Sequence, residues 1–144
     1  MHEWLVGWTL AETTPVDQPD SLVGVLHHLA DAWSRHQANV LLIHYDDLIA
    51  DLDGEMRLLA DRLGIEVPEG VWPELVAAAT FEQMRARSNE LTPNTLGVLK
   101  DPSAFFRRGS SGAGRELLSS EELTAYERRV ESLAPADLVG WLHR

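Results

Sequence analysis

Apolar side chains recur at the spacing of an amphipathic helix over most of the chain. The clearest case begins behind Asp20, a favoured helix N-cap residue, and its apolar face comprises Leu22, Val25, Leu26, Leu29 and Trp33. Shorter patterns of the same kind predict further helices around residues 1–12, 56–63, 71–76, 80–84, 119–133 and 135–142. The chain is therefore expected to contain six or seven helices.

Residues 39–45 depart from this pattern, because Val40 to Tyr45 form a continuous apolar run that is too short for an ordinary helix. The lack of alternation predicts one strand, buried on both faces as in a parallel sheet. No second strand of comparable quality is evident, and Leu96 to Leu99 is the only weak candidate. Since a lone buried strand leaves its backbone groups unpaired, we expect it to pair with something outside residues 1–144.

Several residues mark the ends of the predicted helices. Gly64 is well placed to close a helix, and Pro135 is expected to start the last one. Residues 80–83 and 119–122 each have the spacing of a capping box. Residues 88–115, by contrast, hold Gly, Ser, Pro and Asn with little periodicity, which predicts a long loop of the kind that is usually functional or mobile.

The composition narrows the function classes. The chain has 144 residues, 44% of them apolar, which suits one domain with a single core. It contains no cysteine, which excludes a disulfide scaffold, a thiolate zinc site and a cysteine nucleophile. The net charge of −11 argues against general binding of nucleic acid. Because the apolar runs are too short to span a bilayer and no signal-peptide pattern is present, we expect a cytoplasmic protein with no membrane partner.

The positive charge is concentrated in one part of the chain. Six of the twelve basic residues lie within residues 85–115, which contain only two acids, Glu90 and Asp101. This segment carries a local charge of +4, whereas the rest of the chain carries −15. Such a cluster is either a solvated face or a local anion site, for which the planar fork of arginine is well suited. The charge alone leaves both interpretations open.

Three segments together resemble a known family. They are Ile43-His44-Tyr45-Asp46-Asp47-Leu48, Thr80-Phe81-Glu82-Gln83-Met84 and Phe105-Phe106-Arg107-Arg108-Gly109-Ser110-Ser111-Gly112. In this order and at these separations they resemble the C-terminal half of the sulfotransferases that use 3′-phosphoadenosine 5′-phosphosulfate (PAPS). The resemblance extends over about residues 20–144. It implies a transferase of the α/β class with a three-layer fold like that of P-loop NTPases. Residues 1–144 are then one incomplete domain, the predominantly helical C-terminal portion of that fold, with one clear parallel-type strand at 39–45.

The resemblance also implies a binding site for PAPS and for its product, 3′,5′-adenosine bisphosphate (PAP). Taken alone, Tyr45 is more simply a boundary tyrosine with its hydroxyl in water, and Phe81 is more simply a core residue. In the family, residues matching Thr80 and Phe81 contact the adenine, and the motif matching Arg107-Arg108-Gly109 holds the 3′-phosphate. Residues 88–118 would then be the basic loop that clamps the cofactor. The candidate cofactor-binding residues are Tyr45, Thr80, Phe81, Arg107, Arg108 and Gly109.

The family's catalytic machinery is not evident in this sequence. No Gly-rich loop with Lys-Ser or Lys-Thr is present, and Lys100 is the only lysine. The catalytic residue is therefore unassigned, and the acceptor is known only as a hydroxyl or an amine. Activity would need a homo-oligomer or a partner chain to supply the phosphosulfate loop. We assign no metal ligand, because the spacing of His27, His28 and Asp31 is ordinary for exposed helix residues.

A second function class remains open from the sequence. A non-catalytic, acidic helical module could bind a protein partner through the exposed edge of the predicted strand, since unpaired strand edges readily recruit other chains.

Overall fold

A computed structural model describes residues 1–35, 40–92, 97 and 99–144. In the described residues, the α-helices in chain order are α1 (His2–Leu10), α2 (Leu22–Arg35), α3 (Tyr45–Ala50), α4 (Leu52–Leu63), α5 (Trp72–Ala79), α6 (Phe81–Ala86), α7 (Ser88–Leu91), α8 (Ser120–Leu133) and α9 (Ala136–Leu142). Two 3-10 turns span Glu69–Val71 and Pro102–Phe105. The chain divides into two compact units, one made of residues 1–44 and 112–144 and the other of residues 45–111.

The first unit packs α1, α2, α8 and α9 together around a small apolar core. Leu22, Leu26 and Val130 form the buried cluster, and Trp8 and Tyr126 pack against it. Burying each such aliphatic side chain contributes roughly 1.5–3 kcal/mol, so this cluster accounts for much of what holds the four helices in place. The helical periodicity predicted for α2 and α8 is thereby confirmed.

The start of α2 differs by one residue from the prediction. Ser21, and not Asp20, caps the helix, because the Ser21 hydroxyl accepts a hydrogen bond from the backbone N–H of Gly24 at 3.2 Å. Asp20 contributes its backbone carbonyl instead, which accepts a hydrogen bond of 2.5 Å from the Trp8 indole. A tertiary contact with α1 therefore decides between two neighbouring residues that are both good caps.

The second unit is a series of short helices. α3 packs on α4, α4 on α5, α5 on α6, α6 on α7, and α7 on the 3-10 turn at Pro102–Phe105. Arg57 on α4 joins three parts of this series, since it contacts Asp53 at 2.8 Å and Glu69 at 3.1 Å and lies 4.5 Å from the centre of the Trp72 ring. Gly64 ends α4 with a left-handed φ of +67°, as predicted.

The predicted strand at 39–45 is not confirmed. Residues 40–44 have no regular secondary structure, Tyr45 begins α3, and residue 39 lies outside the described residues. Within the described part of the chain there is no strand at all. The physical reason is that a strand is defined by hydrogen bonds to a neighbour, and residues 40–43 make none to any described residue. The weaker strand candidate, residues 96–99, is not tested, because residues 96 and 98 lie outside the described residues.

The capping box predicted for residues 119–122 is confirmed. Ser119 and Glu122 form the complete capping box, with the two reciprocal bonds at 3.3 and 2.8 Å.

Residues 88–115 are less irregular than predicted, because they include α7 and the turn at Pro102–Phe105. Among the described residues, no helix is long and apolar enough to cross a membrane.

The carboxylate of Glu122 makes the first unit sensitive to acid. A hydrogen bond from His2, followed by one from the backbone N–H of Ser119, lowers the pKa of Glu122 from its ordinary value of 4.5 to about 2. A depressed pKa adds stability that is complete above the ordinary value and is lost as the pH falls towards 2. We therefore expect Glu122→Gln to lower the melting temperature at neutral pH, and expect this difference from wild type to shrink steadily below about pH 4.5.

The melting temperatures of wild type and Glu122→Gln can be measured across this pH range by circular dichroism. Glu121→Gln is the matched control, because Glu121 lies in the same first turn of α8 but outside the capping box. A difference between wild type and Glu122→Gln that stays constant with pH would contradict the assignment.

Candidate functional site

The ring of Phe81 lies directly against the backbone of Gly109. A Cβ atom built at Gly109 would lie 2.6 Å from Cγ of Phe81 and 2.8 Å from its Cδ1 and Cδ2 atoms. Gly109 also has a φ of +64°, in the left-handed region that other residues rarely adopt. Two independent constraints therefore require glycine here: the backbone conformation and the space that the ring occupies.

A second contact holds the same segment to the same ring. Phe106 meets Phe81 edge to face, with ring centroids 6.2 Å apart and an interplanar angle of 70°. Phe105 in turn meets Phe106 at 5.3 Å, and its side chain is 56% exposed. Residues 106 and 109 thus both rest on Phe81, and the two arginines between them occupy a short span that is held at each end.

The two arginines of this span are exposed. Within the described part of the chain, Arg107 has no ion-pair partner. The acids of the basic segment are engaged elsewhere, since Glu90 pairs with Arg87 at 2.9 Å and Asp101 accepts hydrogen bonds from Ser103. The positive charge of the segment is therefore not cancelled at Arg107 by either of its own acids.

Asp101 fixes the start of this loop. Its carboxylate accepts hydrogen bonds from the side chain and the backbone N–H of Ser103, at 2.7 and 2.9 Å, and so caps the turn at Pro102–Phe105. These bonds, with a smaller contribution from Arg85, lower the pKa of Asp101. The buried Thr92 donates a further hydrogen bond of 3.2 Å to the carbonyl of Pro102. The turn before the two arginines is thus anchored, which the sequence pattern did not indicate.

The hydroxyl of Thr80 caps the N-terminus of α6. It donates to the carbonyl of Ala77 at 2.9 Å and accepts from the backbone N–H of Gln83 at 3.4 Å. Thr80 is confirmed as the N-cap that starts α6 at Phe81, but the reciprocal bond from Gln83 that would complete the predicted capping box is not present. Since the hydroxyl proton is already donated, the side chain of Thr80 retains only an acceptor position for a ligand.

Tyr45 stands apart from this cluster in the order of packing. It begins α3, and its side chain is 48% exposed. α3 reaches α6 through α4 and α5 in the series of packed helices. The structure therefore brings together Thr80, Phe81, Phe106, Arg107, Arg108 and Gly109, and it shows no direct contact between Tyr45 and Phe81 in the described residues.

Phe106 is the residue that the sequence analysis missed as a positioning group. It was included in the motif only as the residue before Arg107, and its contact with Phe81 spans 25 positions of the chain. The arrangement as a whole places two exposed arginines on a short span of backbone whose neighbours contact a half-buried aromatic ring. Such a site is suited to a ligand that carries both a flat apolar group and anionic oxygens.

Replacing Gly109 tests the contact with Phe81. Gly97→Ala is a matched control, because Gly97 has nearly the same φ of +66° but no atom of the described residues within 4 Å of its Cβ position. The control should lose about 1–2 kcal/mol of unfolding free energy from the left-handed backbone alone. Gly109→Ala should lose clearly more, because the Phe81 ring must also move.

Urea unfolding followed through the Trp72 indole signal in NMR spectra makes the comparison, since Trp72 is the only tryptophan of residues 45–111. Equal losses in the two variants would show that Phe81 does not occupy the space above Gly109.

Comparison with known proteins gives the site a family context. A model of the sulfotransferase domain matches residues 20–134. The chain is 41% identical over 125 residues to a glycolipid sulfotransferase of Mycobacterium bovis and 40% identical over 125 residues to one of Mycobacterium tuberculosis. Each of these matches covers 85% of this chain and 38% of the relative. An amine sulfotransferase of Oryctolagus cuniculus is 26% identical over 102 residues, which are 67% of this chain and 34% of that protein.

The chain thus spans little more than a third of the length of the curated relatives that it matches. No solved structure matches it. The family match covers most of the chain and includes the segments that carry Phe81 and the two arginines. This chain belongs to the sulfotransferase family.

Proposed function

We propose that this chain carries the nucleotide-clamping part of a sulfotransferase that uses PAPS as its sulfuryl donor. The observation that supports this most strongly is the double contact of Phe81, with Phe106 on one side of the two arginines and Gly109 on the other. A nucleotide phosphate needs cations in a fixed place, and its base needs an apolar surface nearby. The segment 106–109 carries the cations, and the Phe81 ring that it contacts offers the apolar surface.

In this proposal Arg107 and Arg108 bind the 3′-phosphate of PAPS. Guanidinium groups can make two parallel hydrogen bonds to phosphate oxygens, and both side chains are exposed. Gly109 allows the backbone to approach the phosphate closely. Residues 88–118 then act as the clamping loop, which the Thr92–Pro102 hydrogen bond and the Phe81 contacts hold in shape.

Phe81 and Thr80 are the proposed contacts of the adenine. The ring of Phe81 is only half-buried, so part of its apolar surface remains for a base. The acceptor position of Thr80 suits the exocyclic amino group of adenine. We also assign Tyr45 to the nucleotide site, on the family motif and on the exposure of its ring.

PAPS, when bound, supplies the sulfuryl group that is transferred to the acceptor. The acceptor class that we propose is a hydroxyl or an amine, and the relatives named for glycolipid and amine acceptors support it. The acceptor must lose a proton as its bond to sulfur forms, and a base has to take that proton. We assign no residue of this chain to that role.

Loss of specificity for the 3′-phosphate tests the clamp. Wild type should bind PAP more tightly than adenosine 5′-monophosphate, which lacks the 3′-phosphate. A charge-assisted hydrogen bond contributes roughly 1.5–3 kcal/mol, so Arg107→Ala/Arg108→Ala should weaken PAP binding by at least about tenfold and remove its advantage over the monophosphate.

Isothermal titration calorimetry with the two nucleotides measures both affinities. Arg62→Ala is the control, because Arg62 is an exposed arginine of α4 outside the basic segment. The clamp is refuted if wild type binds PAP no better than the monophosphate, or if the double variant retains the wild-type ratio.

We further propose that residues 40–44 become a parallel strand when another polypeptide segment, such as a second copy of this chain, lies beside them. Their apolar side chains are only partly buried, and no backbone hydrogen bond joins residues 40–43 to any described residue. Four consecutive apolar residues with unpaired backbone groups are typical of a strand that lacks its neighbour.

Amide hydrogen exchange over a range of protein concentrations tests pairing between copies. We expect the amides of residues 41–43 to exchange rapidly in dilute solution and to become protected as a dimer forms, as judged by sedimentation velocity. The amide of Leu26, inside α2, should be protected throughout. Unchanged rapid exchange together with a monomer at every concentration would contradict pairing with a second copy.

A further inference from the structure

An open groove lies between α1 and the loop that leads into α2. Its volume is about 370 Å³, and its lining consists of Trp4, Gly7, Trp8, Ala11, Gln18, Asp20 and Ser21. All of these residues belong to the first compact unit, and none belongs to the proposed nucleotide site. The groove is therefore a separate feature of the molecule.

One wall of the groove is an aromatic surface with small residues between and beyond the rings. Trp4, Gly7 and Trp8 follow one another at helical spacing and so share one face of α1, and Ala11 is the residue at which the helix ends. The two indoles are nearly parallel, with an interplanar angle of 20° and centroids 6.3 Å apart. Apart from its two chain neighbours and the backbone of its own helix, no described atom lies within 4 Å of a Cβ atom added at Gly7, so this position has room for a side chain.

Trp8 connects the aromatic wall to the core of the first unit. Trp8 packs against the buried cluster of Leu22, Leu26 and Val130, and its indole N–H donates to the carbonyl of Asp20. Trp4 stacks on Trp8, yet 64% of Trp4 remains exposed. Trp8 is therefore tied to the core of the first unit, and Trp4 beside it presents a large apolar ring to solvent.

The remaining lining residues, Gln18, Asp20 and Ser21, are polar. The side chains of Gln18 and Asp20 are exposed, and neither makes a hydrogen bond or an ion pair with any described residue. The Ser21 hydroxyl, by contrast, is already used, because it donates to the carbonyl of Gln18 and accepts from Gly24. The residues that line the groove thus include one amide and one carboxylate whose hydrogen-bonding atoms are not used by any described residue.

We propose that this groove binds a pyranose ring of a carbohydrate. The C–H face of a pyranose is flat and apolar and packs on an exposed indole, while its ring edge carries hydroxyl groups that both donate and accept hydrogen bonds. The carboxylate of Asp20 accepts from two hydroxyls, and the amide of Gln18 both donates and accepts. The groove therefore matches the two kinds of surface that a sugar ring presents.

A quaternary ammonium ligand fits this geometry less well. Such cations are held in cages where several aromatic faces surround the charge. Trp4 and Trp8 are two nearly parallel rings with centroids 6.3 Å apart, and they do not surround a charge on several sides as a cage does. The stacked arrangement therefore favours a flat ligand over a spherical one.

NMR titration of the indole N–H signals tests the proposal, because the five tryptophans give separate reporters. Cellobiose, a disaccharide with two flat pyranose rings, should shift the signals of Trp4 and Trp8 in a saturable way and leave those of Trp33, Trp72 and Trp141 in place. Sorbitol, an open-chain polyol without a ring face, should shift none of them. Tetramethylammonium chloride should shift Trp4 and Trp8 less than cellobiose does.

Filling the groove supplies the decisive variant. Gly7→Leu should weaken cellobiose binding at least about tenfold, because the new side chain extends from a residue that lines the groove. Gly140→Leu is the matched control, since Gly140 also lies in a helix with open space at its Cβ position but is remote from the groove lining. Leucine favours a helix interior over glycine, so both variants are expected to fold.

A second variant removes two of the polar lining side chains and leaves the backbone contact of Asp20 with Trp8 intact. Gln18→Ala/Asp20→Ala should weaken cellobiose binding while the indole spectrum without ligand stays close to that of wild type. The proposal is overturned if cellobiose shifts neither Trp4 nor Trp8, if Gly7→Leu binds it as well as Gly140→Leu does, or if tetramethylammonium is the stronger ligand.

Discussion

The phenyl ring of Phe81 and the backbone of Gly109 occupy adjoining space so closely that no side chain fits between them. The same ring meets Phe106 edge to face, three residues earlier in the loop. Arg107 and Arg108 are therefore carried on a span of backbone whose two ends rest on one side chain. A loop of this length would otherwise leave two long, charged side chains free to adopt many positions, and fixing the backbone reduces the entropy lost when they close on an anion.

Local sequence signals predicted the helical part of the fold well, because they depend on neighbouring residues. Gly64 ends α4, and Ser119 with Glu122 starts α8, for reasons contained within a single turn. The contact between Phe81 and Gly109 spans 28 positions, so no periodicity could indicate it. The family resemblance implied that both motifs bind one nucleotide, but it did not indicate that Phe81 touches Gly109.

The predictions that failed depended on something outside the local pattern. Residues 40–44 have the composition of a buried strand, but a strand forms only beside a neighbour, and the described residues supply none. Asp20 and Ser21 are both suitable helix caps, and the indole of Trp8 decides between them by taking the carbonyl of Asp20. The anchoring of the loop by Thr92 was equally beyond the sequence, since its partner is a backbone carbonyl ten residues away.

The central claim is that the Phe81 ring covers Gly109, and NMR tests it directly in the unliganded chain. Protons that lie over an aromatic ring are displaced upfield, so the Hα proton of Gly109 that points in the Cβ direction should resonate upfield of ordinary glycine values. It should also show nuclear Overhauser effects to the ring protons of Phe81. In Phe81→Leu the upfield displacement should disappear. Ordinary Hα shifts for Gly109 in wild type, with no Overhauser effect to Phe81, would contradict the placement of the two arginines and the site that depends on it.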